Sequence, residues 1–439
     1  MEAIAEEIVF EKYPAYKDSG VEWLGKVPAH WDVKPGYTIV EERKEKNNGL
    51  KEKTVLSLSY GSVIIKNEDK LTGLVPESFE TYQLVYPGDI IIRPTDLQND
   101  KTSLRTGLAK DKGIITSAYI NLKVKHNYSA SFYHYFLHSI DTMKVLYGLG
   151  SGLRQNLDFG DFKRLPFVVP MPEEQVIIAD FLNIKTAQID QAVAQKERQI
   201  ELLKERRRVL IHKAVTRGLN PDVQLKDSGV EWIGDIPEHW AIEPIKYSLH
   251  GIIDCEHKTA PFVDEEEFFV VRTSNVKEGK LTFNDAKYTN GKGFLQWTKR
   301  GIPQPGDILL TREAPAGEAC IVPGKINLCL GQRMVWLKVN NERLLSQLAI
   351  YLIYSKIGRT YIDFLSAGST VLHFNMADIK NIPIISMPIK EQSEIVEYLT
   401  VLSDKVEKAI ELEEFQIEKL KEYKATLINS AVTGKIKVT

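Results

Sequence analysis

The sequence predicts a mixed α+β protein, in which two similar α/β domains are separated by a pair of long antiparallel coiled-coil helices in a pseudo-two-fold internal repeat. Three observations support this fold class. A fifteen-residue stretch occurs twice, at 17–31 and 226–240, with eleven of its fifteen positions identical. Short strand-like segments follow each copy, and each half closes with a long segment that lacks proline and glycine. The doubled stretch indicates a tandem duplication.

Composition is ordinary for a soluble globular protein. The chain has 439 residues, of which 43% are apolar and 26% charged, with a net charge of −2. This length predicts two or three domains. The three cysteines include no C-x-x-C pair, which argues against a disulfide framework or structural zinc. The acidic amino terminus does not look like a signal peptide, and no apolar run approaches the roughly 20 residues of a membrane span, so we expect a cytoplasmic protein.

Each half begins with a predicted α/β globule. Segments rich in β-branched residues and bounded by glycine, proline or aspartate are typical of strands, and they occur at 54–60, 89–93, 114–124, 268–272, 307–311 and 333–338. Apolar residues recur at helical spacing in 131–147 and 343–362. The turn Pro-Gly-Asp-Ile precedes a strand at 87–90 and again at 305–308, which predicts the same order of elements in both halves.

A long helix is predicted to close each half. Segments 173–217 and 389–433 follow prolines, and about 45 residues at about 1.5 Å each make a rod of about 65 Å. Aligned at an offset of 217, the two segments share apolar positions at steps of threes and fours, as a coiled-coil seam requires. We therefore predict helix pairing through Ile178, Leu182, Ile189, Leu203, Leu210, Ile395, Leu399, Val406, Leu420 and Leu427.

The duplication also predicts the direction of the helices and the domain limits. If the halves are related by a pseudo-two-fold axis, the paired helices run antiparallel. The predicted domains are an N-terminal head at 1–172, a first spacer helix at 173–217, a second head at 218–388, and a second helix with the C-terminal tail at 389–439.

Catalytic motifs are not evident in the sequence. It contains no G-x-x-x-x-G-K-[ST], G-x-S-x-G or H-E-x-x-H motif. Residues 148–152 are glycine-rich but fail the dinucleotide pattern G-x-G-x-x-G, so they indicate a flexible turn. Residues 254–258, Asp-Cys-Glu-His-Lys, hold metal-ligand types, yet the first half has no matching cluster. We expect no catalytic residue and no metal ligand in this chain.

Two similar heads suit a partner with two similar features along one axis, such as duplex DNA with two half-sites. Base edges are read by Arg, Lys, Asn and Gln, and phosphates by basic and polar groups. The candidate DNA-binding residues are Arg93, Thr95, Lys101, Arg105, Arg154, Gln155 and Asn156 in the first half, and Arg272, Ser274, Asn275, Arg312, Gln332, Arg333, His373 and Asn375 in the second. Solvated loops are the alternative interpretation of each cluster.

Taken together, these features resemble the specificity subunit of type I restriction–modification systems. The resemblance covers nearly the whole chain. It rests on the doubled D-S-G-V-E-W-[LI]-G-x-[VI]-P-x-H-W, on the two Pro-Gly-Asp-Ile turns, on the Gly-Ser segments before each long helix, on 113–119, and on the helix starts at 171–175 and 387–392.

The resemblance implies two target-recognition domains, each reading half of an asymmetric bipartite double-stranded DNA sequence. It implies that the paired helices set the spacing and hold the methylation subunits, two in number, while restriction subunits join through the complex. It also implies that this chain binds no cofactor, and that S-adenosylmethionine, ATP and Mg²⁺ act on the partner subunits.

Two alternative functions stay open at this point. A two-headed scaffold would bind two protein partners and show no DNA specificity. A nuclease would use Asp254, Glu256 and Lys258 with a divalent cation. The duplicated stretch itself is predicted to be a packing element: its tryptophans, such as Trp23 and Trp232, would hold the start of each head against its core or a helix end.

Overall fold

The computed structural model describes residues 10–66, 78–152, 155–324, 326–366 and 374–438. The chain divides into two compact units, which we call unit 1 (Met1–Glu197 with Glu414–Thr439) and unit 2 (Arg198–Glu413). Both limits fall inside the long helices, so each unit holds a head and a part of each helix. Within the described residues, no helix is long and apolar enough to cross a lipid bilayer.

The strands of unit 1 are short. In chain order they are β1 (Tyr16–Asp18), β2 (Lys26–Pro28), β3 (Asp32–Pro35), β4 (Val40–Glu42), β5 (Leu56–Ser59), β6 (Ser62–Ile65), β7 (Gln83–Val85), β8 (Ile90–Ile92), β9 (Thr106–Leu108), β10 (Gly113–Ile115), β11 (Ile120–Val124) and β12 (Pro166–Val169). Its helices are α1 (Ala130–Thr142), α2 (Phe159–Arg164) and the first part of α3 (Pro172–Arg217), with 3-10 turns at Gly36–Thr38, Phe79–Thr81 and Val145–Gly148.

An antiparallel sheet in the order β4-β11-β8-β9 organises unit 1. Its inner face and the aromatic face of α1 share one core, in which Phe132, Phe136 and Ile90 are fully buried. The duplicated stretch forms the hairpin β1-β2, and β3 pairs with β12 just before α3 begins. The head and the start of the long helix are therefore built on the same core.

Unit 2 contains the following elements in chain order. Its strands are β13 (Leu225–Asp227), β14 (Asp235–Pro237), β15 (Ala241–Pro244), β16 (Leu249–Asp254), β17 (Phe268–Val271), β18 (Val276–Lys277), β19 (Lys280–Leu281), β20 (Tyr288–Thr289), β21 (Ile308–Thr311), β22 (Ala319–Ile321), β23 (Leu328–Leu330), β24 (Met334–Val339) and β25 (Pro383–Ser386). Its helices are α4 (Gly291–Trp297), α5 (Ser346–Tyr354), α6 (Lys356–Ser366), α7 (Met376–Lys380) and α8 (Ile389–Val432), the last of which ends in unit 1; 3-10 turns lie at Ile245–Ser248 and Thr273–Asn275.

The strand order of unit 1 is repeated in unit 2. The sheet β16-β24-β21-β22 is antiparallel throughout and corresponds to β4-β11-β8-β9. The hairpin β13-β14 and the pair β15-β25 correspond to β1-β2 and β3-β12. Both heads mix helices with mainly antiparallel strands, so the predicted fold class and internal repeat are confirmed.

Parts of the two long helices pack against each other within each unit. In unit 1, Lys424 on α8 contacts Asp190 on α3 at 2.7 Å, and Lys196 further along α3 bonds Gln416, which lies earlier on α8. This order makes the two helices antiparallel, as predicted. In unit 2, Ala214 near the end of α3 shares a core with Ile395 near the start of α8.

Two predicted elements differ from the structure because single residues interrupt them. The predicted helix 343–362 is instead α5 followed by α6, since Ser355 has an extended backbone and its hydroxyl accepts a hydrogen bond from the Ile357 amide, as a helix-capping serine does. The predicted strand 114–124 is instead β10 and β11, because a turn closes with the Tyr119 amide donating to the Thr116 carbonyl. The order of elements was predicted correctly, but these limits were wrong.

Candidate nucleic-acid interface

The last residue of each copy of the duplicated stretch is a tryptophan that hydrogen-bonds a carboxylate in the first turn of a long helix. Trp31 is fully buried, and its indole Nε1 donates to Glu174 of α3 at 3.0 Å. Trp240 is also fully buried and donates to Glu391 of α8 at the same distance. The histidine before each tryptophan contacts the same carboxylate. We call this arrangement the helix-start clamp; in both units it uses the histidine and the tryptophan of the duplicated stretch for packing.

The residue after each clamp carboxylate is a buried glutamine that sequence reasoning left without a role. Gln175 accepts from the Ser129 amide at the start of α1 and donates to the Pro170 carbonyl, both at 2.9 Å. Gln392 accepts from the Leu345 amide before α5 and donates to the Met387 carbonyl, again both at 2.9 Å. The doubled Glu-Gln pair at the helix starts was the signal that could have revealed this second connection between head and helix.

In unit 1, two loops that carry predicted DNA contacts lie against each other. One follows β8 (residues 93–105) and the other precedes α2 (149–157). The Leu157 amide donates to the Pro94 carbonyl at 2.9 Å, and the Asn156 side chain accepts from the Asp96 amide at 2.9 Å. The structure thus brings the predicted clusters of the first half into one surface.

Two of those residues hold the surface together from inside. Arg105 has no exposed surface, and its guanidinium donates to the carbonyls of Thr95 at 2.7 Å and Asp100 at 2.5 Å. Gln155 uses both hydrogens of its amide nitrogen on the carbonyls of Tyr147 and Leu149. The Arg105 guanidinium is therefore used inside unit 1, and the Gln155 amide nitrogen has no hydrogen left for a base, so contact of either side chain with DNA stays a prediction; residue type alone could not reveal these internal bonds.

The other four predicted residues of unit 1 that the structure describes are accessible to solvent. Lys101 and Asn156 are exposed, and Thr95 is half-buried. The Arg93 side chain is 40% exposed and lies 3.3 Å from Asp100, whose pKa is lowered to about 2, chiefly by the Ser103 amide. Because that carboxylate is ionised at neutral pH, Arg93 is preoriented while remaining accessible. The predicted Arg154 lies outside the described residues.

In unit 2, several predicted residues lie directly after or before strands, at one edge of the sheets. Strands β17 and β23 are parallel, so Arg272 and Gln332 follow neighbouring strand ends. The Arg312 amide after β21 donates to the Arg333 carbonyl before β24 at 2.9 Å. The Phe374 amide donates to the Arg312 carbonyl at 3.0 Å, which repeats the Leu157–Pro94 contact of unit 1.

Two predicted residues of unit 2 are also internal. The Arg312 side chain is only 8% exposed; it donates to both carboxylate oxygens of Asp254, at 2.9 and 2.7 Å, and to the Phe374 carbonyl. Asn275 is fully buried, accepting from the Arg272 amide and donating to the Asn284 carbonyl. Tertiary packing therefore uses the polar atoms of both residues, and their contact with DNA stays a prediction.

The other predicted residues of unit 2 lie at the surface. Ser274 and Gln332 are exposed. Arg333 is 48% exposed at 3.0 Å from Glu313, and half-buried Arg272 pairs with Asp285 at 2.8 Å. Exposed Asn375 caps α7 by accepting from the Asp378 amide, a position that corresponds to Asp158 before α2 in unit 1. The predicted His373 lies outside the described residues.

The metal-ligand-like cluster at 254–258 does not fit a metal site. Ligand atoms of Asp254, Cys255 and His257 lie within 4.8 Å of one another. However, the Arg312 guanidinium already binds both oxygens of Asp254. Burial raises the pKa of the Cys255 thiol, whereas a metal requires the thiolate. This cluster stabilises the edge of unit 2 as an ion pair, and it offers no support for the nuclease alternative.

The predicted helix-pairing residues line the inner side of α3 and α8. The most buried are Ile178, Leu182, Ile189, Ile395, Leu399, Val406 and Leu427, whereas Leu203, Leu210 and Leu420 are half-buried. Ile200 and Ile417 are buried as well, at 7% and 8% exposure. Sequence reasoning missed this last pair, although the two residues are also related by the offset of 217.

Known proteins resemble this chain in both sequence and fold. The model of the type I restriction modification DNA specificity domain matches residues 38–202 and 261–422. The MjaVIII specificity subunit of Methanocaldococcus jannaschii is 24% identical over 74% of this chain and 75% of that protein. The EcoBI specificity subunit of Escherichia coli is 24% identical over 77% and 71%. The provisionally named MjaX specificity subunit of M. jannaschii is 26% identical, and there the chain spans only 60% of the relative.

Two solved structures have the same fold. A chain from work on complex assembly and conformational transition of the type I R-M system superposes with a TM-score of 0.70 over 92% of this chain and 98% of that one, at 13% identity. The HsdS subunit from Thermoanaerobacter tengcongensis gives 0.53 over 93% and 98%, also at 13% identity. Two matched domains, covering most of the chain, place it in the family of type I restriction–modification DNA specificity subunits.

Proposed function

We propose that this chain is the non-catalytic DNA-recognition subunit of a type I restriction–modification complex, and that each unit reads one half of an asymmetric bipartite target. One observation carries the proposal. Both units join the loop after the Pro-Gly-Asp-Ile strand to the segment before a short helix by the same main-chain bond, Leu157 to Pro94 and Phe374 to Arg312. The scaffold is repeated, but the exposed side chains on it differ, as two different half-sites require.

The side chains that we assign to DNA are the accessible ones. Arg93, Lys101 and Asn156 serve unit 1, and Gln332 and Arg333 serve unit 2. Each arginine already has a carboxylate neighbour. A guanine edge can take the free donors of such a guanidinium in bidentate fashion, while the carboxylate limits its attraction for phosphates of unrelated sequence.

The long helices are proposed to bind two methylation subunits. Ile184 on α3 is 59% exposed, and Val401, at the equivalent position of α8, is 48% exposed. Tyr398, one turn before Val401, is 41% exposed beside it. Two equivalent apolar surfaces on one chain suit two copies of the same partner. Within this proposal, S-adenosylmethionine, ATP and Mg²⁺ belong to the methylation and restriction subunits, and the complex acts on DNA in the cytoplasm.

The proposal is tested by sequencing methylated DNA from cells that express the chain together with its methylation subunit. We expect an asymmetric bipartite methyladenine motif. Arg93→Ala should weaken selection at one half and Arg333→Ala at the other, each by about 1–3 kcal/mol. Lys17→Ala, which removes an exposed cation from the duplicated stretch, is the matched control and should leave the motif intact. A wild-type complex without sequence preference would support the protein-binding scaffold instead.

A further inference from the structure

Unit 1 carries a two-stranded ribbon with four residues in each strand. Strands β5 and β6 pair from Leu56 with Ile65 to Ser59 with Ser62, and they form a sheet of their own. Their two-residue turn is Tyr60-Gly61. The Tyr60 side chain projects from this turn with 95% of its surface exposed.

Tyrosine is a poor residue for this turn. Tyr60 has φ +46° and Gly61 has φ +78°. Two successive positive φ values define the hairpin turn that favours Asn-Gly, because asparagine tolerates the left-handed region better than larger side chains do. Tyr60 therefore strains the turn without any packing in return. Strain of this kind at an exposed position points to a role outside folding.

One face of the ribbon is fixed to the surface already assigned to DNA. Gly107 of β9 has no room for a side chain, because a Cβ there would lie 2.5 Å from Leu58 and 3.1 Å from Val63. At the tip, a Cβ on Gly61 would lie 2.9 Å from Leu104, which belongs to the loop after β8. The ribbon is therefore held beside the loop that presents Arg93 and Lys101.

The opposite face carries three serines and one isoleucine, and it has no negative charge. Because side chains alternate along a strand, Ser57, Ser59, Ser62 and Ile64 lie on the side away from Leu58 and Val63. Residues 54–66 contain no aspartate or glutamate, and Lys66 ends the segment. Serine hydroxyls can donate to either phosphates or bases, so this face suits an anionic partner that offers many acceptors.

We propose that this ribbon enters the major groove of the half-site read by unit 1, with Tyr60 contacting base edges at its floor. The inference rests on the proposed function. A two-stranded ribbon fits the major groove, which is about 12 Å wide and about 8.5 Å deep. Four residues per strand at about 3.4 Å each extend about 14 Å, enough to bring the tip to the base edges.

Unit 2 has a shorter hairpin at the corresponding place. β5 lies beside β10 and β17 lies beside β23, and these two neighbours are equivalent strands of the two units. After β17 the chain forms the 3-10 turn Thr273–Asn275 and then the short hairpin β18-β19. The turn of that hairpin, Glu278-Gly279, also has two positive φ values, but each strand has only two residues and the exposed tip residue is acidic. The ribbon should therefore influence only one half of the target.

Three variants of one residue test the inference in the full chain with its methylation subunit. Tyr60→Ala should reduce discrimination at one half-site about tenfold, equivalent to about 1.4 kcal/mol, with the other half unchanged. Tyr60→Phe should retain most of it, because the ring remains. Tyr60→Asn should lose discrimination while raising the Tm by about 2 °C, since asparagine suits the turn. Tyr37→Ala, at an exposed tyrosine on another element of unit 1, is the control.

Two quantities are measured: the methylated motif, and the affinity of the complex for a duplex that carries this motif. Arg333→Ala identifies which half of the motif is read by unit 2. An unchanged motif and affinity in both Tyr60→Ala and Tyr60→Asn would overturn the ribbon proposal alone. Loss of copurifying methylation subunit with an unchanged motif would overturn it in favour of a protein contact. A wild-type chain with no bipartite motif would overturn the proposed function first, and the ribbon proposal with it.

Discussion

Removing the carboxylate of the helix-start clamp should destabilise unit 1 more than unit 2. Glu174 accepts from buried Trp31 and also from the Tyr13 hydroxyl, whereas Glu391 accepts from buried Trp240 without such a tyrosine. A buried donor that loses its partner costs about 1–3 kcal/mol. The histidine of each clamp is 46% exposed, so water replaces its bond. We expect a loss of about 3 kcal/mol for Glu174→Ala and about 2 kcal/mol for Glu391→Ala.

Calorimetry of the full chain measures both losses. For a unit of this size, each kcal/mol lowers the Tm by about 2–4 °C, so Glu174→Ala should lower the transition of unit 1 by about 9 °C and Glu391→Ala that of unit 2 by about 6 °C. Glu173→Ala removes an exposed carboxylate from the same helix turn and should change the Tm little. Glu174→Gln keeps an acceptor oxygen and should recover part of the loss. Equal Tm values for Glu173→Ala and Glu174→Ala would refute the clamp, and so would an altered DNA target in either clamp variant.

Two further predictions concern buried and exposed polar groups. Arg105→Met should destabilise unit 1 by about 3 kcal/mol, because the buried carbonyls of the loop after β8 would lose their hydrogen-bond donor. Lys101→Ala should leave stability unchanged, and it should reduce the salt dependence of DNA binding by about one counterion. Burial lowers the pKa of His134 to about 3 and that of His138 to about 4. The unfolded chain therefore binds more protons below about pH 6.5, and stability present at pH 7 should fall by about 2 kcal/mol per histidine by pH 5. Denaturant titrations at both pH values should show a smaller loss of stability in the variant that carries both His134→Gln and His138→Gln. The full loss should remain when exposed His126 is replaced.

Periodicity and repetition were sufficient to predict the architecture. The identical stretch, the matched Pro-Gly-Asp-Ile turns and the two segments without proline or glycine determine the order of elements, since each depends on local sequence. Element limits depend on capping side chains instead. Ser355 splits a predicted helix because its hydroxyl, in place of a backbone carbonyl, accepts a hydrogen bond from the Ile357 amide. The spacing of apolar residues gives no sign of such competition.

The candidate interface was only partly predictable. Residue type and chain position pointed to the loops that the structure brings together after β8 and before α2. Residue type and position could not tell an exposed arginine from a buried one. Arg93 reaches solvent, whereas Arg105, twelve residues later, donates to four carbonyls in the interior. Burial of a guanidinium is decided by carbonyls that converge only after the loops have folded. Tyr60 was missed for the opposite reason, because an apolar strand pattern predicts packing and gives no sign of a strained, exposed tip.

The helix-start clamp has a consequence for how new specificities could arise. The groups that join each head to its long helix are the same in both units: a His-Trp pair, a glutamate and a buried glutamine. The residues assigned to DNA share no side chain with this joint. Mutations in the reading surface can therefore accumulate without loosening the joint, and a foreign head that keeps these four residues should attach to the helices of this chain. The molecule separates what must vary for evolution to reach new targets from what must stay constant for assembly.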